Sequence, residues 1–293
     1  MPTAFVLSGG GSLGAVQVGM LRSLAAHDLR PDLLVGASAG ALNSVFVADH
    51  GFTSSTLDEL ARIWCSLRRQ DVFPVAPRRQ FLALAGLRPS LCAPDSLRRL
   101  IARNLTVDRL EATQIAVHVV ATDVLSGKEE VLSQGDPIAA VLASSAIPGI
   151  FPTVEIAGRA LFDGGVADNT PISQAIALGA DRVVVIPAGV ACALPSPPRS
   201  AIATAVHALT LLIEQRLILD VAAYQDDVDL IVLPPLCPLS VSSTDFRSAR
   251  LLIDRAESAT SRWLGAGNHR LPHPERFLSL HPHTHLPTAQ DVA

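Results

Sequence analysis

Residues Leu33 to Leu42 read Leu-Leu-Val-Gly-Ala-Ser-Ala-Gly-Ala-Leu, an apolar run that stops at Ser38 and restarts as a helix. A strand-to-helix turn this tight admits only small residues two positions to either side, here Gly36 and Gly40. It lifts the Ser38 hydroxyl out of the sheet and sets it at a helix N-terminus, where developing negative charge is favoured. Any Gly/Ala-rich βα turn produces the same five letters, so the weight of the pattern rests on what flanks it.

The flanks alternate between strand and helix. Short apolar runs at Thr3–Leu7, Leu33–Ala37, Val183–Pro187 and Leu230–Leu233, with a β-branched run at Ile115–Thr122, read as buried strands. A turn at Ser126-Gly127 leads to a short strand around Glu130–Leu132. Helical periodicity covers Leu13–His27, Ala39–Ala48, Ile138–Ser144, about Ala201–Tyr224 and Phe246–Leu264. This order predicts an α/β fold, a three-layer α/β/α sandwich around a mainly parallel sheet. The Arg-rich, proline-interrupted stretch 53–103 reads as a helical excursion that walls one side of a cleft. One domain over 1–265 and a His/Pro-rich, flexible tail over 266–293 complete the expected organisation.

The first turn reads Ser8-Gly9-Gly10-Gly11-Ser12-Leu13-Gly14-Ala15. Consecutive glycines aim backbone N–H groups at one point at the start of a helix, a nest for an anion. Gly9-x-Gly11-x-x-Gly14 satisfies the dinucleotide fingerprint formally, but that reading needs an acidic residue at the end of the second strand. None occurs between Leu33 and Ala48. No Gly-Lys-Ser/Thr follows the glycines, which excludes a P-loop. The other candidate anion is the oxyanion of an acyl-transfer intermediate, because the C-terminal ends of adjacent parallel strands place this loop and Ser38 at one sheet edge.

A serine nucleophile needs a base. His207 lies in an apolar helix, where a core or surface role explains it, and His27, His50 and His118 stand outside any motif. Asp163, followed by Gly164 and Gly165, is the better candidate; a plain Asp-Gly turn is the competing explanation of that motif alone. An ordinary aspartate, with a pKa of about 3.9, is a poor base at neutral pH. Asp163 is therefore expected to be desolvated and shifted upward, with Phe162 and Phe151 as neighbours.

Taken in order, the glycine loop, Gly36-x-Ser38-x-Gly40 and Asp163-Gly164-Gly165 resemble the patatin-like phospholipases, over about Thr3 to Leu264. The likeness extends to Ala121-Thr122-Asp123 with Ser126-Gly127, to the run Ser144–Pro152 and to Asp168-Asn169-Thr170-Pro171. It implies a Ser–Asp dyad: Ser38 as nucleophile, Asp163 as base, and Gly9, Gly10 and Gly11 as oxyanion donors, with Gly14, Gly36, Gly40, Gly164 and Gly165 supporting the turns. The implied activity is hydrolysis of phospholipid or lysophospholipid acyl esters through an acyl-enzyme, with no cofactor. Leu13 departs from the pattern, standing where the family usually carries Arg or Lys. That leaves a soluble-substrate esterase or thioesterase, and a non-catalytic acyl-binding domain, as alternatives.

Composition narrows the partners. Hydrophobic residues make up 49% of the 293 and charged ones 17%, and the net charge of −4 offers no field for nucleic acid. An apolar ester is the fitting substrate, met at a membrane surface from outside the bilayer. The N-terminus lacks the basic start of a secretory signal, and the apolar run 201–223 is interrupted by His207 and Glu214-Gln215-Arg216, so it reads as a buried helix. Widely spaced Cys65, Cys92, Cys192 and Cys237 read as reduced, mostly buried thiols of a cytoplasmic protein. His269, His273, His281, His283 and His285 have no acidic or cysteine partners nearby, so a solvated tail is expected there in preference to a metal site.

Overall fold

A computed structural model describes residues 1–278 apart from 191, 195, 199 and 200. The strands are β1 (Thr3–Leu7), β2 (Leu33–Ala37), β3 (Ala116–Asp123), β4 (Glu129–Leu132), β5 (Val154–Ile156), β6 (Arg159–Asp163), β7 (Arg182–Ile186) and β8 (Asp229–Val232). They form one sheet in the order β5-β6-β3-β2-β1-β7-β8, with β4 also paired to β3. From β3 to β8 every pairing is parallel, whereas β4 and β6 run antiparallel to β3 and β5 runs antiparallel to β6.

Side chains of a strand alternate between faces, and both faces here are apolar. Phe5, Leu7, Leu34, Val184 and Ile186 belong to one core, and Ala4, Val6, Val35, Val183 and Val185 to the other. The first core is covered by α1 (Gly14–Ala26), α2 (Ala39–His50), α3 (Ser54–Ser66) and later helices described below. After α3 come α4 (Arg69–Val72), α5 (Pro77–Leu84) and α6 (Asp95–Ala102), so the stretch 53–103 is helical as expected. Its outer helices α3 and α6 nonetheless join the main core through Leu57, Leu60, Trp64, Leu97, Leu100 and Ile101, while α4 and α5 bury nothing fully. Then follow α7 (Pro137–Ser144), α8 (Ile172–Ala177), α9 (Ala201–Tyr224) and α10 (Ala249–Gly265).

Two expectations need correction. The α9 segment is not a buried helix: Leu217 and Val221 seat it on the second core, but Leu211, Leu212 and Leu219 are exposed. A helix apolar all round gives no periodic cue to its inner face. No described helix is long and apolar enough to cross a membrane. The cysteines are not mostly buried either, since Cys92 alone is, and Cys192 and Cys237 place their Sγ atoms 3.7 Å apart. Finally, a hairpin of β5 and β6 that the sequence reading did not anticipate forms the sheet edge. Beyond α10, short 3-10 turns at Asn268–Arg270 and Pro274–Phe277 lead to Leu278, which is buried in the second core. His281, His283 and His285 lie outside the described residues.

Candidate active site

The site is assembled at β3, where the parallel and antiparallel parts of the sheet meet. On the parallel side, β2 leads into Ser38, whose backbone sits at φ 52° and ψ −119°. Few non-glycine residues adopt that conformation, and it is held here by surroundings that allow nothing else. A Cβ on Gly40 would stand 2.1 Å from the Leu7 carbonyl oxygen, and one on Gly36 would stand 2.6 Å from the Gly40 oxygen. The Ser38 N–H donates to Ser144 Oγ at 2.8 Å, and that hydroxyl donates in turn to the Val120 carbonyl.

On the antiparallel side, β6 ends at Asp163, opposite Ala121 in register. The Ala146 carbonyl accepts the Asp163 N–H at 3.0 Å, and the Asp163 carbonyl accepts the Thr122 hydroxyl at 2.9 Å. These bonds leave the carboxylate facing the turn before α2. Ser38 Oγ donates to Asp163 Oδ2 at 2.8 Å, and the Gly165 N–H donates to Oδ1 at 2.8 Å. Both side chains are buried, at 8% and 7% exposure. Burial pushes the Asp163 carboxyl up to about 6, against the opposing pull of the Ser38 and Gly165 hydrogen bonds.

The upward shift is as expected, but its surroundings differ. Phe162, adjacent on β6, points to the opposite face, and Phe151 lines an apolar cavity beside Ser38. Asp163 is enclosed instead by the elbow and by its own turn, where Gly165 lies against it. A second carboxyl, Asp168, is pushed up to about 7 by burial and by nearby Glu129 and Asp220, with Arg216 opposing.

The glycine loop reaches the same place from β1. Gly9 is tied to Asn169, donating its N–H to the Asn169 carbonyl at 3.2 Å. A Cβ on Gly9 would lie 2.4 Å from Asn169 Oδ1 and 3.0 Å from Ser38 Cβ. Gly9 thus serves close approach, and its N–H, already bonded, is not a free oxyanion donor. Neither the Gly10 nor the Gly11 N–H has a backbone partner among the described residues. The loop is fixed from outside, where Ser12 donates its N–H to the Ser243 carbonyl at 2.8 Å and its hydroxyl to Ser242. Leu13 is fully buried in the core, so no cation stands there.

Gly14 packs under Trp64, and Gly164 lies against the Val120 carbonyl. Behind the loop runs a buried polar chain: Trp64 donates to Asn43, Asn43 to Gln17, and Gln17 to the Ser8 and Ile186 carbonyls. It ties α3, α2 and α1 to the ends of β1 and β7. Sequence reasoning missed this chain, together with Ser144 and Asn169. Ser144 and Asn169 were visible only as members of motif runs, with no feature marking what their side chains would bond.

Two spaces meet at Ser38. A cleft of about 1010 Å³ is lined by Gly9, Gly10, Gly11, Ser38 and Asp163, and by Arg69, His207 and Asp245 further out. A narrow apolar cavity of about 80 Å³ runs inward from Ser38 past Leu42, Val45, Phe46, Leu60, Leu100 and Leu105. Among the described residues no histidine bonds Ser38, and no cluster of His, Cys, Asp or Glu is arranged to hold a metal.

The family profile described as Patatin-like phospholipase matches residues 5–176, more than half the chain. The chain belongs to the patatin-like phospholipase family. An uncharacterized NTE family protein of Mycobacterium tuberculosis is 27% identical over 183 residues, covering 62% of this chain and 48% of that one. The patatin-like phospholipase domain-containing protein 6 of Homo sapiens is 28% identical over 188 residues, covering 64% of this chain and 13% of that one. This family member therefore spans about half the length of the mycobacterial relative and a small part of the human one. The solved structure of VipD from Legionella pneumophila overlaps 90% of this chain and 67% of its own, at 16% identity and a TM-score of 0.45.

Proposed function

We propose that the protein is a serine lipid acyl hydrolase that cleaves carboxylic esters of phospholipids or lysophospholipids. The observation that carries this reading is the 2.8 Å hydrogen bond from Ser38 Oγ to a buried Asp163 where an apolar cavity opens into a wide cleft. Ser38 Oγ attacks the ester carbonyl carbon as its proton passes to Asp163 Oδ2. The carbonyl oxygen, now an anion, takes hydrogen bonds from the Gly10 and Gly11 N–H groups. As the carbon–oxygen bond to the alcohol breaks, Asp163 returns the proton to the leaving oxygen. Water then attacks the acyl-enzyme, giving its proton to Asp163, which passes it back to Ser38 as the fatty acid leaves. A fluorophosphonate should label the wild type and leave Ser38→Ala unlabelled. Labelling of neither protein refutes the assignment and favours an acyl-binding domain.

The cavity also supports a limit on acyl length. Its lining includes Ser38, Leu42, Val45 and Phe46 along α2 and reaches Leu105, whose neighbour Thr106 is bonded to Asp49 at the far end of that helix. Eight residues of helix advance about 12 Å. Carbon–carbon bonds of about 1.5 Å at about 111° advance about 1.25 Å each, so roughly nine carbons fit. With p-nitrophenyl esters of increasing length, kcat/KM should peak at medium chains. Leu42→Phe, one turn past Ser38, should move that peak down by about four carbons. An unchanged profile would place the acyl chain elsewhere.

A further inference from the structure

The loop and helix between α3 and α6 have a surface that the site does not explain. In segment 68–88, Val75, Phe81, Leu84 and Leu87 are 69 to 75% exposed. On α5 the exposed positions Arg78, Phe81 and Leu84 share one face, and the half-buried positions Arg79, Gln80, Leu82 and Ala83 share the other. An eight-residue helix starting with proline thus rests lightly on the protein and shows an apolar face to solvent.

Charge identifies what that face meets. The segment holds five arginines, Arg68, Arg69, Arg78, Arg79 and Arg88, against one acid, Asp71, in a chain of net charge −4. The acid is engaged at the N-terminus of α4, where it accepts the Arg68 N–H. None of the five forms an ion pair among the described residues, and the half-buried Arg79 donates to Ser90 Oγ at 2.8 Å. Apolar side chains beside unpaired cations on a short surface helix match the boundary of an anionic bilayer, with hydrocarbon below and phosphate at the level of the guanidinium groups. Val75, Leu84 and Arg69 of the same segment also line the cleft that leads to Ser38.

We propose that segment 68–88 docks the protein on an anionic phospholipid surface, setting the cleft mouth against the lipid. The direction of delivery, from bilayer into cleft, rests on the lipid-ester reading of the Ser38 site; the docking itself does not.

The test is flotation with vesicles of phosphatidylcholine alone and of phosphatidylcholine with phosphatidylglycerol, alongside hydrolysis of a soluble butyrate ester. Wild type should bind the anionic vesicles at least about tenfold more tightly than the neutral ones, and less so as salt is raised. Phe81→Asp with Leu87→Asp, and separately Arg78→Glu with Arg88→Glu, should each weaken that binding about tenfold or more. All four positions are exposed and lie outside the cleft lining, so melting temperature and butyrate hydrolysis should stay at wild-type values. Equal binding by wild type and both double variants, or no preference for anionic vesicles, overturns the proposal. So does a wild-type dimer that the Asp variants convert to monomer, which would assign the face to a second copy of the chain. Intact vesicle binding with no butyrate hydrolysis would instead count against the hydrolase reading and leave the docking standing.

Discussion

Asp163→Asn should abolish turnover and make the protein harder to unfold at neutral pH. The amide cannot take the Ser38 proton, so the rate should fall roughly 10⁴-fold or more, as it should in Ser38→Ala. The stability effect has the opposite sign. The carboxyl is pushed from 3.8 up to about 6 because burial disfavours its charge. A folded state that holds its proton more tightly than the unfolded chain loses stability as pH rises from about 4 through about 6, and is level above that. An uncharged amide escapes this loss. At pH 8 the variant should gain about 2–3 kcal/mol, or roughly 5 °C in melting temperature. At pH 4 the two proteins should melt together. With Asp163 as the proposed base, the wild-type rate should drop tenfold per pH unit below about 6 and be level above it. A pH profile centred near 7 and removed by His207→Ala would refute the dyad.

Gly40→Ala should cost more than any other single methyl in the elbow. Its Cβ would lie 2.1 Å from the Leu7 oxygen, 2.5 Å from the Leu7 carbon and 2.7 Å from the Ser8 oxygen, all backbone atoms at the end of β1 and the residue after it. Backbone at the centre of a parallel sheet cannot yield without shearing β1 from β2, so a loss of at least about 3 kcal/mol in urea unfolding is expected. Gly265→Ala at the end of α10 is the matched control. Nothing lies within 4 Å of its Cβ, so helix propensity alone operates and a gain of about 0.5–1 kcal/mol is expected. Comparable losses in the two variants would show that the close approach at Gly40 is not what holds the elbow.

The parallel half of the sheet was legible in the sequence because its strands are buried on both faces and so appear as unbroken apolar runs. Those at β1 and β2 are found where they were expected, and β3, β7 and β8 within a residue at each end. Ser38 and Asp163 were legible for another reason, since each sits in a turn whose geometry demands glycine. The β5–β6 hairpin was not. Its two-residue turn, Ala157-Gly158, has φ of 51° and 76°, a conformation usually announced by Asn-Gly or Asp-Gly. With alanine first, the signal vanished, and with it the strand that carries Asp163 to Ser38. Gly9 shows a different limit. Three glycines in a row mark a nest, but only coordinates reveal that the first N–H is bonded to Asn169. The thin anchoring of α9 and the exposure of α5 were equally hidden, because apolar content does not say which residues find a partner.

The burial of Leu13 has an effect on how the protein responds to ionic strength. With hydrocarbon at that position, the cradle beside Ser38 draws its positive potential from peptide dipoles, which are fixed in place and which mobile ions do not neutralise. In the proposed reaction, bond cleavage on an ester already seated should therefore be insulated from added electrolyte, and any sensitivity to it should belong to the steps that bring the molecule to its substrate.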